Sequence, residues 1–174
     1  LIVTKNPNGN NIIVFTDTRH QHLYPHVSAE TDVFGQLITE NGVKIEANFK
    51  LDDSSGADVD IKPSVSISSM NHKLVSWQYR ESFNANVLCQ NIDADNNLIG
   101  GNKLAPEDQD SADQVNPSTA SGKGSTDFVI WIGSNEYDYE WGDQDEHVMG
   151  QLYSQATGSL VGSNITVRGG SRDI

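Results

Sequence analysis

Three copies of one pattern run along the chain of 174 residues. Leu74-Val75-Ser76-Trp77 recurs as Phe128-Val129-Ile130-Trp131 and, more loosely, as Ile12-Ile13-Val14-Phe15. Each copy is followed by a second shared string: Val33-Phe34-Gly35-Gln36-Leu37, Val87-Leu88-Cys89-Gln90-Asn91 and Val148-Met149-Gly150-Gln151-Leu152. A unit of this size cannot bury its own apolar face, so it must stack on neighbours. The register can be checked by subtraction. Pro63 and Pro117 each lie 14 residues before the aromatic at 77 or 131, 14 residues before Phe15 is Leu1, and Asn48, Asn102 and Asn164 share one slot. This divides the chain into repeats over 1–62, 63–116 and 117–174, a continuous array expected to be part of a longer repetitive protein.

Each repeat breaks into four short runs with strand character. The first alternates, as in Pro63-Ser64-Val65-Ser66-Ile67-Ser68, and suits a half-buried strand opening with Pro, where a missing N–H does least harm. The second is the apolar run at Leu74–Trp77 or Phe128–Ile132, β-branched and aromatic, for which both faces are expected to be covered. The third is the Val-x-x-Gln string, and the fourth holds Ile45, Ile99 or Val161. Asn8-Gly9-Asn10-Asn11, Asn41-Gly42, Asp95-Asn96-Asn97 and Thr157-Gly158 are hairpin signals between them. No segment has helical periodicity. The expected fold is all-β, with three tandem four-stranded antiparallel repeats, each like the blade of a β-propeller. Propellers close with about four to eight blades. Three therefore leave the array open, or completed by further repeats of the same chain or by other copies.

With 11 basic against 24 acidic residues the net charge is −13, which repels phosphate backbones and anionic lipid and argues against nucleic-acid and membrane-surface partners. No apolar run approaches the roughly 20 residues that cross a bilayer as a helix. Cys89 is alone, in a slot held elsewhere by Gly35 and Gly150, and reads as a small buried strand residue rather than a catalytic thiol. There is no Gly-x-Ser-x-Gly elbow, no His-Glu-x-x-His and no phosphate-cradling Gly-rich loop. A pair of carboxylates suffices for glycoside hydrolysis, so composition alone leaves that chemistry open. These acids cluster in polar loops, and an enzyme is not the expectation.

Length variation is confined to one place. Between the aromatic and the Gly/Cys slot the spacings are 20 (15 to 35), 12 (77 to 89) and 19 (131 to 150). Variable loops on a rigid scaffold are where binding resides. The third repeat's loop carries Asp138, Asp143, Asp145 and Glu146, a candidate calcium loop, since calcium takes six to eight oxygen ligands. The acidic stretches between repeats, Asp52, Asp53, Asp58 and Asp60, then Glu107, Asp108, Asp110 and Asp113, are expected on the same face. A solvated acidic surface is the plainer account of all of them. Asp93-x-Asp95-x-Asn97 opens like a calcium loop but lacks the Gly and Glu that would follow, and reads as a turn. His20, His22 and His26 crowd the first long loop and His147 ends the third, without the rigid spacing of a zinc site. Tyr24, Tyr137, Tyr139 and Trp141 offer aromatic faces that stack on sugars or pack at protein interfaces. Asn164-Ile165-Thr166 is formally a glycosylation sequon, though its shared slot suits a strand or bulge equally well.

Pro63-Ser64-Val65, Trp77, Gln90, Asp93, Asp95, Asn97 and Gly100-Gly101 form a pattern that resembles a tandem repeat of very large secreted RTX-type adhesins and haemolysin-like surface proteins of bacteria, with similar arrays in some protists. The outer repeats depart from it, with Phe15 for Trp, Glu46-Ala47 for Gly-Gly, and Gly162-Ser163 in the third. The resemblance implies an extracellular or cell-surface structural module for adhesion or matrix assembly. The alternative is a calcium-dependent, lectin-like protein that binds glycans.

Overall fold

Among the described residues the period-2 alternation and the turn residues are realised as twelve strands in three antiparallel sheets of four. The computed structural model describes residues 1–5, 10–19, 30–53, 58–81, 84–105, 113–134 and 146–168. The first sheet is β1 (Ile2–Lys5), β2 (Asn11–Asp17), β3 (Asp32–Ile38) and β4 (Lys44–Lys50). The second is β5 (Val59–Ile67), β6 (Lys73–Glu81), β7 (Asn84–Ile92) and β8 (Leu98–Leu104), and the third is β9 (Gln114–Ser121), β10 (Thr126–Ser134), β11 (Glu146–Ser154) and β12 (Leu160–Arg168). Within each sheet the strands pair in chain order. The described residues contain no helix.

The two repeated marks of the sequence, the proline and the glutamine, fall at register shifts. Pro63 lies inside β5, not at its start, between Ile61 and Ser64, where the ladder with β6 skips. Pro117 lies equivalently in β9, opposite the skip between Ile130 and Ile132. A skip leaves residues unpaired, so the missing N–H removes no ladder bond there. Lys62 and Asn116, which precede the prolines, take left-handed φ values of 53° and 55°. The second skip lies at Gln36, Gln90 and Gln151, between the third and fourth strand of each sheet. There the amide Nε2 of Gln90 donates to the carbonyl oxygens of Asn91 (2.8 Å), Ile99 (3.3 Å) and Gly100 (3.4 Å). Gln36 and Gln151 make the same set to Leu37, Ile45 and Glu46, and to Leu152, Val161 and Gly162. The residue at the bulge is left-handed in every sheet: Glu46 at 57°, Gly100 at 65°, Gly162 at 68°. The Gly/Cys slot also has a packing reason. A Cβ at Gly35 would meet the Phe49 ring at 2.5 Å, and one at Gly150 would meet Phe128 at the same distance.

The sheets stack face on face in chain order. β5 packs on β1, β2 and β3, and β9 packs on β5, β6 and β7. Val65, Val75, Trp77 and Ile92 of the second sheet interlock with Ile12, Val14, Val33 and Leu37 of the first. Val129, Trp131 and Tyr153 of the third sheet lie against Leu74, Val87 and Cys89 of the second. A polar ladder joins the first strands of the last two sheets: Ser64 Oγ to Thr119 Oγ1 at 3.2 Å, Ser66 Oγ to Ser121 Oγ at 2.7 Å, and Lys62 Nζ to Asn116 Oδ1 at 2.7 Å. Both faces of the apolar second strand are covered only in the middle sheet, where Lys73 to Gln78 are all buried. In β2 and β10 burial alternates, because each outer sheet has a neighbour on one side only.

Candidate functional site: a buried acidic junction

The first two sheets are zipped by Thr31, which precedes β3 and forms a parallel bridge with Val59. Its N–H donates to the Asp58 carbonyl (3.1 Å), its carbonyl accepts from the Asp60 N–H (3.1 Å), and its hydroxyl donates to the Asp60 carbonyl (2.7 Å). This backbone zip carries Glu30 and Asp32 from one side towards Asp58 and Asp60 on the other. Asp52, just after β4, joins them by accepting the Val33 N–H on Oδ2 at 3.0 Å. All five carboxylates are buried, from 0% exposure at Asp60 to 8% at Asp58.

Among the described residues Lys50 answers two of them. Lys50 Nζ lies 2.8 Å from Asp32 Oδ1 and 2.9 Å from Asp52 Oδ1. Burial pulls the Lys50 ammonium down, but its hydrogen bonds to Asp32 and Asp52 and their charges outweigh that and leave its pKa raised. Asp60 is left over. Neither of its oxygens has a hydrogen-bond partner. Burial, then the Asp52 charge, push its pKa up to about 8; Trp77 pulls the other way through its indole N–H, which falls short of hydrogen-bond geometry. Glu30 Oε2 is likewise buried without a partner. A carboxyl protonated at neutrality is the form a general acid uses. With both oxygens sealed from solvent, Asp60 offers a substrate no access.

The scaffold does not require this cluster. At the second junction the positions 54 residues later than Asp32, Lys50 and Asp60 are Asn86, Leu104 and Gln114. Among the described residues the strap there is Asp113, whose Oδ1 accepts the Ala85 N–H at 2.7 Å.

Of the acids expected to line a solvated face, Asp52, Asp58 and Asp60 are instead buried between sheets, because the segment joining two stacked sheets runs through their junction. Asp53 pairs with Asn102: its N–H donates to Asn102 Oδ1 (2.7 Å) and its Oδ2 accepts the Asn102 N–H (2.9 Å). Glu30, Asp32 and Lys50, which complete the cluster, were not singled out in the sequence. Their only signal is charge at the start of the third strand and the end of the fourth, which the third repeat shares with Glu146 and Arg168. Asp93 has the turn role expected. Its Oδ1 accepts the Asp95 and Asn97 N–H groups (2.9 and 2.8 Å) and its Oδ2 the Asn97 amide (3.0 Å), and these bonds, led by the Asn97 side chain, lower its pKa. Burial pushes the Cys89 thiol up to about 12 against the pull of the Tyr153 hydroxyl, which leaves it unreactive.

Asp138, Asp143, Asp145, Tyr137, Tyr139, Trp141 and Tyr24 lie outside the described residues, as do His20, His22, His26, Glu107, Asp108 and Asp110. Glu146 opens β11, paired with Ser134, with its side chain outside the description, and His147 pairs with Gly133. Among the described residues no group of three or more His, Cys, Asp or Glu side chains is arranged to hold a metal ion. Within the acidic junction, the Lys50 ammonium stands between Asp32 and Asp52. No helix among the described residues is long and apolar enough to cross a membrane. No protein-family model matches the chain, and no curated protein matches it in sequence.

Proposed function

We propose that the chain is a structural or interaction module of an extracellular surface, adhesin or matrix protein, not an enzyme. Its propeller-blade-like repeats stack face to face, and its work is display and assembly rather than reaction. The observation that supports this reading is the burial of the second strands: that of the middle sheet is buried on both faces from Lys73 to Gln78, while burial alternates along β2 and β10. Such a unit gains most of its apolar burial from the neighbour in front and the neighbour behind, which is the economy of a stacked array.

The second reading, a calcium-dependent lectin-like protein, rests on the make-up of the third repeat's loop, whose sequence holds Asp138, Asp143, Asp145 and Glu146 together with Tyr137, Tyr139 and Trp141. A glycan array with and without chelator separates the two. The scaffold reading expects no glycan signal that chelation or Trp141→Ala removes. Such a signal would replace it with the lectin reading, and release of a product from an oligosaccharide would replace both with an enzyme.

A further inference from the structure

The two outward faces of the array are built as a third copy of the contact the chain already makes with itself. In the first sheet, the face that receives the second sheet presents Ile12, Val14, Val33, Leu37, Ile45 and Phe49. In the third sheet the same pairing positions, on the face turned away from the rest of the chain, hold Phe128, Ile130, Val148, Leu152, Val161 and Ile165. These six slots are apolar in both, with polar Thr16 beside Val33 on the first face and Ser118 beside Ile130 on the third. The middle sheet's corresponding face is mixed, with Ser76, Asn91 and Lys103 among its slots. Burial differs: Ile12, Val14 and Val33 are 0% exposed, whereas Val161 and Ile165 are 39% and 41% exposed and Phe128, Ile130, Val148 and Leu152 half-buried.

The other half of the contact is also duplicated. The second sheet docks through Val65, Val75, Trp77, Leu88 and Ile92. The outward face of the first sheet holds Val3, Ile13, Phe15, Phe34 and Ile38 at those positions; Val3 is 63% exposed and Ile13, Phe15 and Ile38 half-buried, while Phe34 is 4% exposed within the chain. Phe15 and Phe34 stack there with ring centroids 6.1 Å apart, and the Arg19 guanidinium covers Phe34 at 4.0 Å.

We infer that the outward face of the third sheet docks on the outward face of the first sheet of a second copy of this chain, head to tail. This rests on the stacked-module reading and names its partner and contact residues. The contact is heterologous, so repetition either closes a ring or extends a fibre. Two copies make six sheets, within the range of about four to eight at which propellers close.

The test uses the full chain and two variants, Ile13→Asp on the first sheet and Ile130→Asp on the third, both at half-exposed positions. Light scattering and analytical ultracentrifugation give the mass, and circular dichroism checks that each variant keeps its strands. The wild type forms dimers or longer assemblies. Each variant alone is monomeric, with an apparent dissociation constant raised about a hundredfold or more by a charge set in an apolar contact. Mixed together they form a 1:1 heterodimer, because one intact pair of faces remains, and recovery on mixing also shows that both are folded. A monomeric wild type, a variant that assembles as the wild type does, or a mixture that stays monomeric would overturn the inference. None of these results bears on glycan binding or product release, the outcomes that decide the stacked-module reading.

Discussion

At Asp60 a carboxyl group is closed between two sheets with both oxygens unpartnered, and the pH dependence of folding follows from it. Its folded pKa, about 8, lies above the ordinary 3.8, so the folded state binds this proton more tightly than the unfolded chain does. The stability this supplies is complete below about pH 4 and is lost as the pH rises to 8. Asp127, raised by burial against hydrogen bonds from Ser121 and Gln155, acts in the same direction. Lys73, lowered to about 8 by burial against the charges of Asp93 and Asp95, adds a rising contribution only above that value. Melting temperature should therefore fall between pH 5 and pH 8, and Asp60→Asn, which puts an amide where the second junction has Gln114, should flatten the slope. Equal slopes for the two proteins would remove Asp60 from the account. Glu46 gives a second test at this scale. It holds the left-handed bulge position that is Gly100 and Gly162 in the other sheets. Left-handed backbone costs a residue with a Cβ about 1–2 kcal/mol, part of which glycine returns as unfolded-chain entropy. Glu46→Gly should stabilise by about 0.5–1 kcal/mol, and Gly100→Ala, with nothing within 4 Å of the new Cβ, should destabilise by about 1 kcal/mol, both read from urea midpoints.

Among elements, the repeated unit is the bulge between the third and fourth strands, bracketed by one glutamine amide. The three brackets differ on their acceptor side. Gln90 Oε1 accepts the Asn102 amide at 2.7 Å, and the same amide donates to the Leu51 carbonyl at 3.0 Å, so this bracket also ties the second sheet to the chain leaving the first. Gln36 Oε1 is buried without a partner. Losing a buried network costs more than losing an amide that is only half used. Gln90→Ala should cost about 2–3 kcal/mol and Gln36→Ala about 1–2 kcal/mol by urea unfolding. Equal losses would mean that the Asn102 tie adds nothing. The Val-x-x-Gln string was visible in the sequence. Its purpose was not, because the carbonyls it brackets lie 9 to 11 residues further on and face it only once the register skips.

For the whole molecule, stacking governs burial. Copies that each carry −13 repel one another, while the faces that would join them are apolar. Raising salt from about 20 mM to about 500 mM shortens the screening length several-fold and should tighten association. Weakening by salt would instead indicate a contact made through ion pairs. The apolar alternation in β2 and β10 reads alike on both sides, so no single strand shows which face is covered.

Strand content, strand order within a repeat and the threefold register were legible in the sequence because they depend on neighbours a few residues apart: alternation sets a strand, Asn-Gly and Thr-Gly set a hairpin, and identical slots set identical pairings. The acidic junction was not. Its members come from positions 30 to 60 and meet only because the Thr31 backbone bridges two sheets, which buries Asp52, Asp58 and Asp60, read as solvated loop residues, beside Glu30 and Asp32. The amino-acid pattern determined the sheets. Which of their faces are core, and which acids must share one lysine, was decided by how the sheets stack, since burial and charge pairing are set by distances in space that sequence separation does not encode.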